Sequence, residues 1–447
     1  MSWTSASRAP RSHTSNVTRT SSVTNIPLSD LNATVDSYRD FVTEALPPLI
    51  RCESTQGQER EVQALVKELL AQSGWPGEYR AIPDSIFEDE EYSHGDFEQS
   101  YDGRYNLVAT RRGSGGGRSL ILQTHADVVP AGEWAQAFEP VIEDGRILGR
   151  GATDCKGQIV TLLCALKALD ALGIALQGDL ECQVVIEEEV GGNGALALIR
   201  QGCSADGVLV LEGTDLQIHP ANRGAIWFRA TTYGKSLHMG RRHEGVNAIE
   251  KMMDAIRLML EYETRLIAAS QGQPLFAKYA NPVQLCLGTI QAGGWPSMVA
   301  GECVLQGGVG FLPNTRMADI KRDLLDAVMQ TEDEWLREHF RLEFPKLHND
   351  AYQIPADHPL PVTMHEACRE LGLPSEVFGW NVSCDARLYK CLADLPTVVF
   401  GPSDIRQAHA AGESIGIDEV LTGAKALALS IARWCGTAGT DDGTHSY

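Results

Sequence analysis

The chain has 447 residues, more than one hydrophobic core usually supports, so a single small module is excluded. Hydrophobic residues make up 43% and charged residues 22%, and this ordinary globular balance excludes wholesale disorder. The 38 Lys and Arg against 59 Asp and Glu give a net charge of −21, which would repel a nucleic-acid backbone or an anionic membrane surface. We therefore expect no nucleic-acid partner and no membrane partner.

Both chain ends are poor in large apolar residues, so we expect a disordered leader over residues 1–26 and a mobile tail over 437–447. The leader carries Arg8, Arg11 and Arg19, and a targeting segment is the alternative interpretation. It lacks the apolar core of a secretory signal, and the chain has no run of 18 apolar residues. The cysteines form no Cys-x-x-Cys pair, which predicts buried thiols in a soluble, cytoplasmic protein.

The first half of the folded chain alternates helical and β-rich segments. Helical spacing begins near Leu28 and is clearest in EREVQALVKELLAQSG. The β-rich runs are YNLVAT, SLILQTH, LECQVVIE and GVLVLE, and the helical segment GQIVTLLCALKALDALG lies between the second and the third. This order predicts an α/β domain whose mixed, largely parallel sheet is flanked by helices. The acidic stretch over residues 84–102 is predicted to be a solvated loop.

The pattern changes after His219. A half-exposed strand, a long amphipathic helix, two further strands and a second helix over about residues 317–344 follow in that order. This β-α-β-β-α order predicts an inserted α+β two-layer domain over residues 222–347, serving as a lid or a dimerisation domain. The α/β pattern then returns, so we expect a discontinuous catalytic domain made of residues 27–221 and 348–436.

Side chains suited to binding a metal stand at strand ends or in the loops that follow them, where open α/β sheets place their sites. The strand LILQTH ends in His125, and Asp127 would lie on the same side of the chain, where it can orient the imidazole. Asp154 lies in a glycine-bounded turn before a helix, Glu212 follows the run VLVL, and His409 follows the strand PTVVFG.

Three consecutive glutamates, Glu187, Glu188 and Glu189, follow another apolar strand. They would repel one another unless a cation lies among them or water solvates them. Taken singly, each His or acid fits an exposed loop or a helix cap. Together they form a set of imidazoles and carboxylates without a thiolate, which is typical of zinc in hydrolytic sites. An even number of ligands around a shared Asp indicates two divalent ions, Zn²⁺ first and Co²⁺ or Mn²⁺ as alternatives.

Five motifs occur in a fixed order, and we quote them as they stand: His125-Ala-Asp127-Val-Val-Pro, Gly149-Arg-Gly-Ala-Thr-Asp154-Cys-Lys-Gly, Glu188-Glu189-x-Gly-x-x-Gly, Glu212, and Ala408-His409 with Glu413. They resemble the dinuclear zinc metallopeptidases that include acetylornithine deacetylase, succinyl-diaminopimelate desuccinylase, aminoacylase and glutamate carboxypeptidase. The resemblance runs from about residue 30 to 435, which is nearly the whole folded chain.

The resemblance implies five metal ligands. Asp154 would bridge both ions, His125 and Glu212 would complete one site, and Glu189 and His409 would complete the other.

The resemblance also implies the catalytic residues. Glu188 would be the general base that moves a proton from a metal-activated water to the departing nitrogen. Asp127 would lie behind the metal ligands and orient the imidazole of His125. The neighbouring Glu187 leaves the register ambiguous by one residue, so a ligand or surface role for Glu188 stays open. The peptide bond between Asp154 and Cys155 is expected to be cis, as in the family.

Two further residues are implied by the resemblance. The stretch GKSLHMGRRHEGVNA resembles the family lid, whose His assists at the oxyanion, in many members from the opposite subunit. That residue is His238, and we expect a homodimer. The stretch NVSCDARLYK resembles the segment whose Arg binds the free carboxylate of the substrate, which assigns that role to Arg387. An ion-paired surface Arg is the alternative.

These features predict a metal-dependent amidohydrolase that cleaves an N-acyl amino acid and releases a carboxylate and an amine. A carboxypeptidase or dipeptidase acting on a short peptide with the same metals is the alternative within hydrolases. A metal-binding dimer without activity is the more distant alternative. The acyl group, the amino acid and the native metal are not encoded in the motifs.

Overall fold

The structure is a computed structural model that describes residues 26–94, 100–345 and 347–437. The described helices are α1 Leu28–Asp36, α2 Arg39–Arg51, α3 Arg60–Gln72, α4 Lys156–Ala171, α5 Asn193–Arg200, α6 Ala248–Ser270, α7 Met317–Met329, α8 Glu334–His339, α9 Pro359–Glu370, α10 Ala386–Ala393 and α11 Ile417–Cys435. The described strands are β1 Glu78–Ala81, β2 Tyr105–Arg111, β3 Leu120–His125, β4 Val141–Glu143, β5 Arg146–Leu148, β6 Leu180–Val185, β7 Val208–Leu211, β8 Ala221–Asn222, β9 Gly224–Tyr233, β10 Gln284–Ala292, β11 Glu302–Phe311, β12 Phe340–Glu343, β13 His348–Asn349, β14 Tyr352–Gln353, β15 Thr397–Phe400 and β16 Ser414–Gly416.

The larger sheet has the order β1-β2-β6-β3-β7-β15. Strands β6, β3, β7 and β15 run parallel to one another, while β1 and β2 join at one edge in antiparallel pairing. Strands β3, β7 and β15 are buried along their whole length, which explains why they read as continuous apolar runs. The prediction of a mixed, largely parallel sheet is confirmed.

Helices α4 and α11 pack against each other over one face of this sheet. Helix α4 is buried through most of its length, from Lys156 to Leu166 without interruption, which is unusual for a helix in a surface layer. The core cluster on this face also contains residues of α1, α2, α3 and α9. Helices α5 and α10 cover the opposite face with a second apolar cluster. The sheet is therefore covered on both sides, as predicted.

A second sheet is built from the inserted part of the chain, in the order β10-β11-β9-β12, with β13 also paired to β9. All of these pairings are antiparallel, and α6 and α7 cover one face with their own apolar cluster. The predicted β-α-β-β-α order is present. The prediction of one helix over residues 317–344 is wrong, because α7 ends at Met329, α8 begins after the capping side chain of Asp333, and the chain then returns as β12.

The acidic stretch predicted as a solvated loop is partly a packed segment. Its residues 84–88 form a 3₁₀ turn, and Ile86, Tyr92 and Tyr101 are buried in the cluster beneath α5 and α10. Residues 95–99 lie outside the described part. The prediction failed because it rested on the acidic residues of the stretch and did not consider the three large apolar side chains that anchor the segment.

The predicted leader and tail lie mostly outside the described residues. Ile26 and Thr437, at the two limits of the description, are buried. All eleven cysteines are free and eight are buried, whereas Cys286 and Cys391 are exposed and so depart from the predicted burial. Among the described helices, none has both the length and the apolar character that a bilayer crossing needs.

Candidate metal centre

The predicted ligand side chains meet at one edge of the larger sheet. His125 ends β3, Glu189 follows β6, Glu212 follows β7, and His409 lies in the loop after β15. These four strands are parallel neighbours, so the segments after them emerge at the same edge. Asp154 reaches the same place from the loop before α4. The fold therefore brings together five residues that are up to 284 positions apart in the sequence.

The first group of potential ligands is buried and consists of His125, Asp154, Cys155 and Glu212. The His125 Nε2 atom lies 3.1 Å from Asp154 Oδ1 and 3.8 Å from Glu212 Oε1. One ligand atom from each of the four residues lies within 4.8 Å of the others, a spacing that could hold one metal ion.

The second group consists of Asp154, Glu189 and His409. The His409 Nε2 atom lies 3.4 Å from Asp154 Oδ2 and 3.0 Å from Glu189 Oε2. Asp154 thus turns one carboxylate oxygen toward each group, as the predicted bridging role requires. The side chain of His409 is 54% exposed, so the second group forms the solvent-facing side of the centre.

Asp127 and Glu188 stand next to these groups. The Asp127 carbonyl lies 3.0 Å from His125 Nδ1, and its Oδ1 atom lies 3.3 Å from the same nitrogen. Its Oδ2 atom accepts a hydrogen bond from the Glu189 backbone nitrogen at 3.0 Å. Glu188 Oε2 lies 4.0 Å from His125 Nε2. Asp127 therefore fixes both an imidazole of the first group and the backbone of the second.

The register of the three glutamates follows from their contacts. Glu187 is buried, forms an ion pair with Arg104 and belongs to neither ligand group. Glu188 and Glu189 face the ligand groups. Glu189 therefore belongs to the second group and Glu188 lies beside the first, while their predicted roles as ligand and general base stay predictions.

The donor set fits divalent cations. Burial raises the pKa of Glu189 to about 7 and that of Glu212 to about 8, and it raises the pKa of Glu188 well above its usual range. These carboxylates are removed from water with too little positive charge beside them, because the groups contain only two imidazoles. A divalent ion in each group would supply the missing charge and would hold the carboxylates ionised. Oxygen and imidazole nitrogen donors are ligands that zinc, cobalt and manganese accept.

The loop that carries Asp154 is fixed by Glu413. One oxygen of Glu413 accepts hydrogen bonds from the backbone nitrogens of Thr153 at 3.0 Å and of Asp154 at 3.1 Å, and the other pairs with Arg150 at 2.7 Å. Arg150 and Glu413 are both buried. The peptide bond between Asp154 and Cys155 is cis, as expected.

Two residues near the centre were not anticipated. Cys155 is fully buried and its thiol donates a hydrogen bond to Glu212 Oε2 at 2.9 Å, so a sulfur atom that the predicted ligand set does not include lies in the first group. Asp385 is buried, accepts a hydrogen bond from Gln123, and has its pKa raised to about 7 by burial. The sequence contains a signal for each residue. Asp385 lies in the same stretch as Arg387, and Cys155 is next to Asp154.

Besides Asp127 and Glu188, two further predicted residues belong to neither group. His238 is exposed in the inserted domain, where its ring nitrogen accepts a hydrogen bond from the Gly240 backbone. Arg387 is buried at the start of α10, donates a hydrogen bond to the Gly191 carbonyl at 3.0 Å, and lies 3.6 Å from Glu91. It is not the surface residue of the alternative interpretation. The predicted roles of His238 and Arg387 stay predictions.

Residues 121–433 match the sequence model of peptidase family M20/M25/M40. The chain belongs to this family. That membership makes it a metal-dependent hydrolase, in agreement with the resemblance drawn from the motifs. The matched range begins in β3 and ends in α11, so it includes every predicted ligand and the whole inserted domain.

Sequence relatives of this M20 chain include two kinds of deacylase. It is 30% identical over 364 residues to N-formyl-4-amino-5-aminomethyl-2-methylpyrimidine deformylase of Bacillus subtilis, covering 75% of this chain and 84% of the relative. It is 30% identical over 316 residues to acetylornithine deacetylase of Salmonella arizonae, covering 68% and 77%.

Solved structures of M20-type fold resemble the molecule over most of its length. A di-peptidase from Saccharomyces cerevisiae aligns with a TM-score of 0.71 at 14% identity, covering 92% of this chain and 99% of that one. An aminopeptidase from Bacillus cereus aligns with a TM-score of 0.68 at 19% identity, covering 88% and 98%. At such low identities these likenesses establish the fold alone.

Proposed function

We propose that this M20 hydrolase cleaves the amide bond of an N-acyl amino acid and releases a carboxylate and a free amine. The observation that carries the proposal is the position of Asp154, whose two carboxylate oxygens face two separate groups of ligand-type side chains. Such a shared carboxylate suits a pair of divalent cations that act together on one water molecule.

The sequence relatives support a deacylase rather than a peptidase. The deformylase and the deacetylase are named for removing a small acyl group, and both align over two thirds or more of this chain. Their names differ in the amine part, so the small acyl group is the shared feature. The dipeptidase alternative stays open, because solved structures with the same fold include enzymes named for peptides and a shared fold does not decide the substrate.

The chain's own residues would perform the proton transfers. His125, Asp154 and Glu212 would hold one cation, and Asp154, Glu189 and His409 would hold the other. When bound, the pair of cations would lower the pKa of a water molecule toward neutral pH. Glu188 lies beside the first group, with its Oε2 atom 4.0 Å from His125 Nε2, where its carboxylate could accept a proton from the attacking water. It would then donate that proton to the departing nitrogen.

A panel of substrates tests the proposal. The chelated protein is reloaded with Zn²⁺, Co²⁺ or Mn²⁺ and offered N-formyl, N-acetyl and N-succinyl amino acids, an N-formyl aminomethylpyrimidine, and dipeptides. We expect a formyl or acetyl amino acid to give the highest kcat/KM, no activity after chelation, and recovery on reloading. A dipeptide at the top of the ranking would favour the alternative, and no turnover of any compound would favour the inactive dimer.

The same panel tests the proposed role of Arg387. The guanidinium would pair with the free carboxylate of the substrate. An analogue of the preferred substrate in which a carboxamide replaces this carboxylate should therefore have a kcat/KM about 10- to 100-fold lower. The variant Arg387→Lys should lose this discrimination. Equal loss on both substrates would assign Arg387 instead to holding Gly191, which it contacts.

A further inference from the structure

We propose that Arg104 is a positioning residue that sets the placement of Glu188 and Glu189 through the buried carboxylate of Glu187. The inference rests on the proposed function, because it assigns Arg104 a purpose in the metal centre. Arg104 belongs to none of the sequence motifs and lies just before β2, 83 positions ahead of Glu187.

The segment that Arg104 would position is the ligand loop, residues 187–193. It begins with Glu187 in a left-handed conformation, with φ of +64°, which a residue with a side chain adopts only when its surroundings hold it there. The Glu187 carbonyl accepts a hydrogen bond from the Gly192 nitrogen at 2.8 Å, and the Glu188 carbonyl accepts one from Gly191 at 2.9 Å. The loop is therefore a tight turn whose direction is set at its first residue.

The side chain of Glu187 is held at three points. Arg104 Nη2 donates to its Oε1 atom at 2.5 Å, and the Tyr101 hydroxyl donates to Oε2 at 2.5 Å. Asn193 Nδ2 donates to the same Oε2 atom at 2.8 Å. The side chain of Glu187 has no exposed surface, so these donors replace the water that the carboxylate has lost.

Arg104 is itself fixed by a second buried carboxylate. Its Nε atom donates to Glu59 Oε2 at 2.7 Å and its Nη2 atom to Oε1 at 2.6 Å, a two-point contact that sets the plane of the guanidinium. Glu59 is fully buried and also accepts a hydrogen bond from the Gly57 nitrogen. The guanidinium thus bridges the start of α3 and the ligand loop, and neither contact depends on a surface side chain.

Described residues of the packed acidic segment also hold the ligand loop in place by hydrogen bonds. Tyr101 belongs to this acidic segment, and Ser93 in the same segment exchanges backbone hydrogen bonds with the side chain of Asn193 at 2.9 and 3.0 Å. The first and last residues of the ligand loop are therefore anchored from behind, while Glu188 and Glu189 face the metal groups in front. Removing the guanidinium would take hydrogen-bond donors from the buried carboxylates of Glu59 and Glu187. The ligand loop would then be free to move.

Four variants test this inference: Arg104→Met removes the guanidinium, Arg104→Lys keeps its charge, Tyr101→Phe removes one hydrogen bond, and Arg111→Met is the control. Arg111 is the last residue of β2, the strand that begins directly after Arg104, and it contacts Trp75 and Asp170 instead of the ligand loop. Each chelated protein is titrated with Co²⁺ and followed by visible absorption, which needs no substrate. Thermal unfolding checks the fold, and kcat and KM are measured at saturating metal.

We expect Arg104→Met to bind the first Co²⁺ as the unmodified protein does and the second about 10- to 100-fold more weakly, with a lower kcat and an unchanged KM. Arg104→Lys and Tyr101→Phe should show smaller losses of the same kind, and Arg111→Met none. If Arg104→Met does not fold, the two milder variants decide. Unchanged second-site affinity and kcat in folded variants would overturn the inference, whereas no Co²⁺ binding by the unmodified protein would instead overturn the proposed function.

Discussion

The side chain of Glu188 differs from its two neighbours in what it contacts. Glu187 forms an ion pair with Arg104, and Glu189 shares a hydrogen bond with His409. Glu188 lies beside His125, and among the described residues it has no ion-pair partner closer than 4.0 Å. A carboxylate that is close to the centre and not tied to a cation is free to carry a proton.

The variant Glu188→Gln tests this assignment. The amide has the same shape but cannot accept the proton, so we expect kcat to fall about 100- to 10,000-fold, with metal content and melting temperature retained. The control is Glu181→Gln, a half-buried glutamate on β6, the strand that leads to the glutamates. Substrate turnover at the native rate by Glu188→Gln would remove Glu188 from the mechanism.

His219 provides a pH prediction that is independent of the metals. It is buried, one of its ring nitrogens donates to the Phe378 carbonyl at 2.8 Å, and burial together with nearby Lys278 lowers its pKa to about 4. The unfolded chain binds the proton near its ordinary pKa of about 6.5. The folded protein therefore loses stability as the pH falls from about 6.5 toward 4.

We expect this effect to cost about 2 kcal/mol of unfolding free energy at pH 5 relative to pH 8. Urea unfolding of the chelated protein at both pH values measures it, with His219→Gln as the variant that lacks the titrating group. An equal loss of stability in both proteins would mean that His219 is not the source.

At the scale of secondary structure, the N-terminus of α4 is packed against the loop that carries Asp154. A Cβ atom on Gly157 would lie 2.1 Å from the Ala152 carbonyl oxygen and 2.8 Å from the side chain of Ile415. No room is left there for a methyl group, although alanine favours helices by about 1 kcal/mol over glycine. The glycine is therefore needed for close approach and not for flexibility.

We expect Gly157→Ala to destabilise the protein by about 1–3 kcal/mol and to weaken Co²⁺ binding, because the helix must move away from the Asp154 loop. The matched control is Ala171→Gly at the exposed last residue of the same helix, which changes helix propensity alone. Thermal unfolding and metal titration measure both. A more stable Gly157→Ala protein with native metal affinity would contradict the packing argument.

The elements that position the centre could be predicted because each carries a local signal. Strands β3, β6, β7 and β15 are apolar runs, and α4 and α11 are long apolar helices. Strand β12 could not be predicted, since its sequence FRLE continues a helical pattern and becomes a strand only by pairing with β9. Contacts such as that between Arg104 and Glu187 have no local signal at all, because folding alone brings the two together.

At the scale of the whole molecule, the predicted homodimer would place His238 of one subunit at the centre of the other. His238 is exposed in the inserted domain, so it is available for such a contact. Two defective variants, His238→Ala and Glu188→Gln, would then complement each other in a mixed dimer, because one of its two centres would contain both intact residues.

We expect equal amounts of the two variants, mixed after mild unfolding and refolding, to recover about a quarter of native activity, since half of the dimers are mixed and each has one complete centre. Each variant refolded alone is the control. No recovery, with dimers verified by light scattering, would place His238 in its own subunit's centre or outside any centre.

The ligands of the two groups become available at different times as the chain is synthesised. Residues 125, 154, 155 and 212 of the first group all precede the inserted domain, whereas His409 of the second group lies almost 200 residues after Glu212. We therefore expect that the second group cannot form until β15 has paired with β7 at the edge of the sheet. An unfinished chain that lacks His409 would then have no complete pair of ligand groups and no hydrolytic activity.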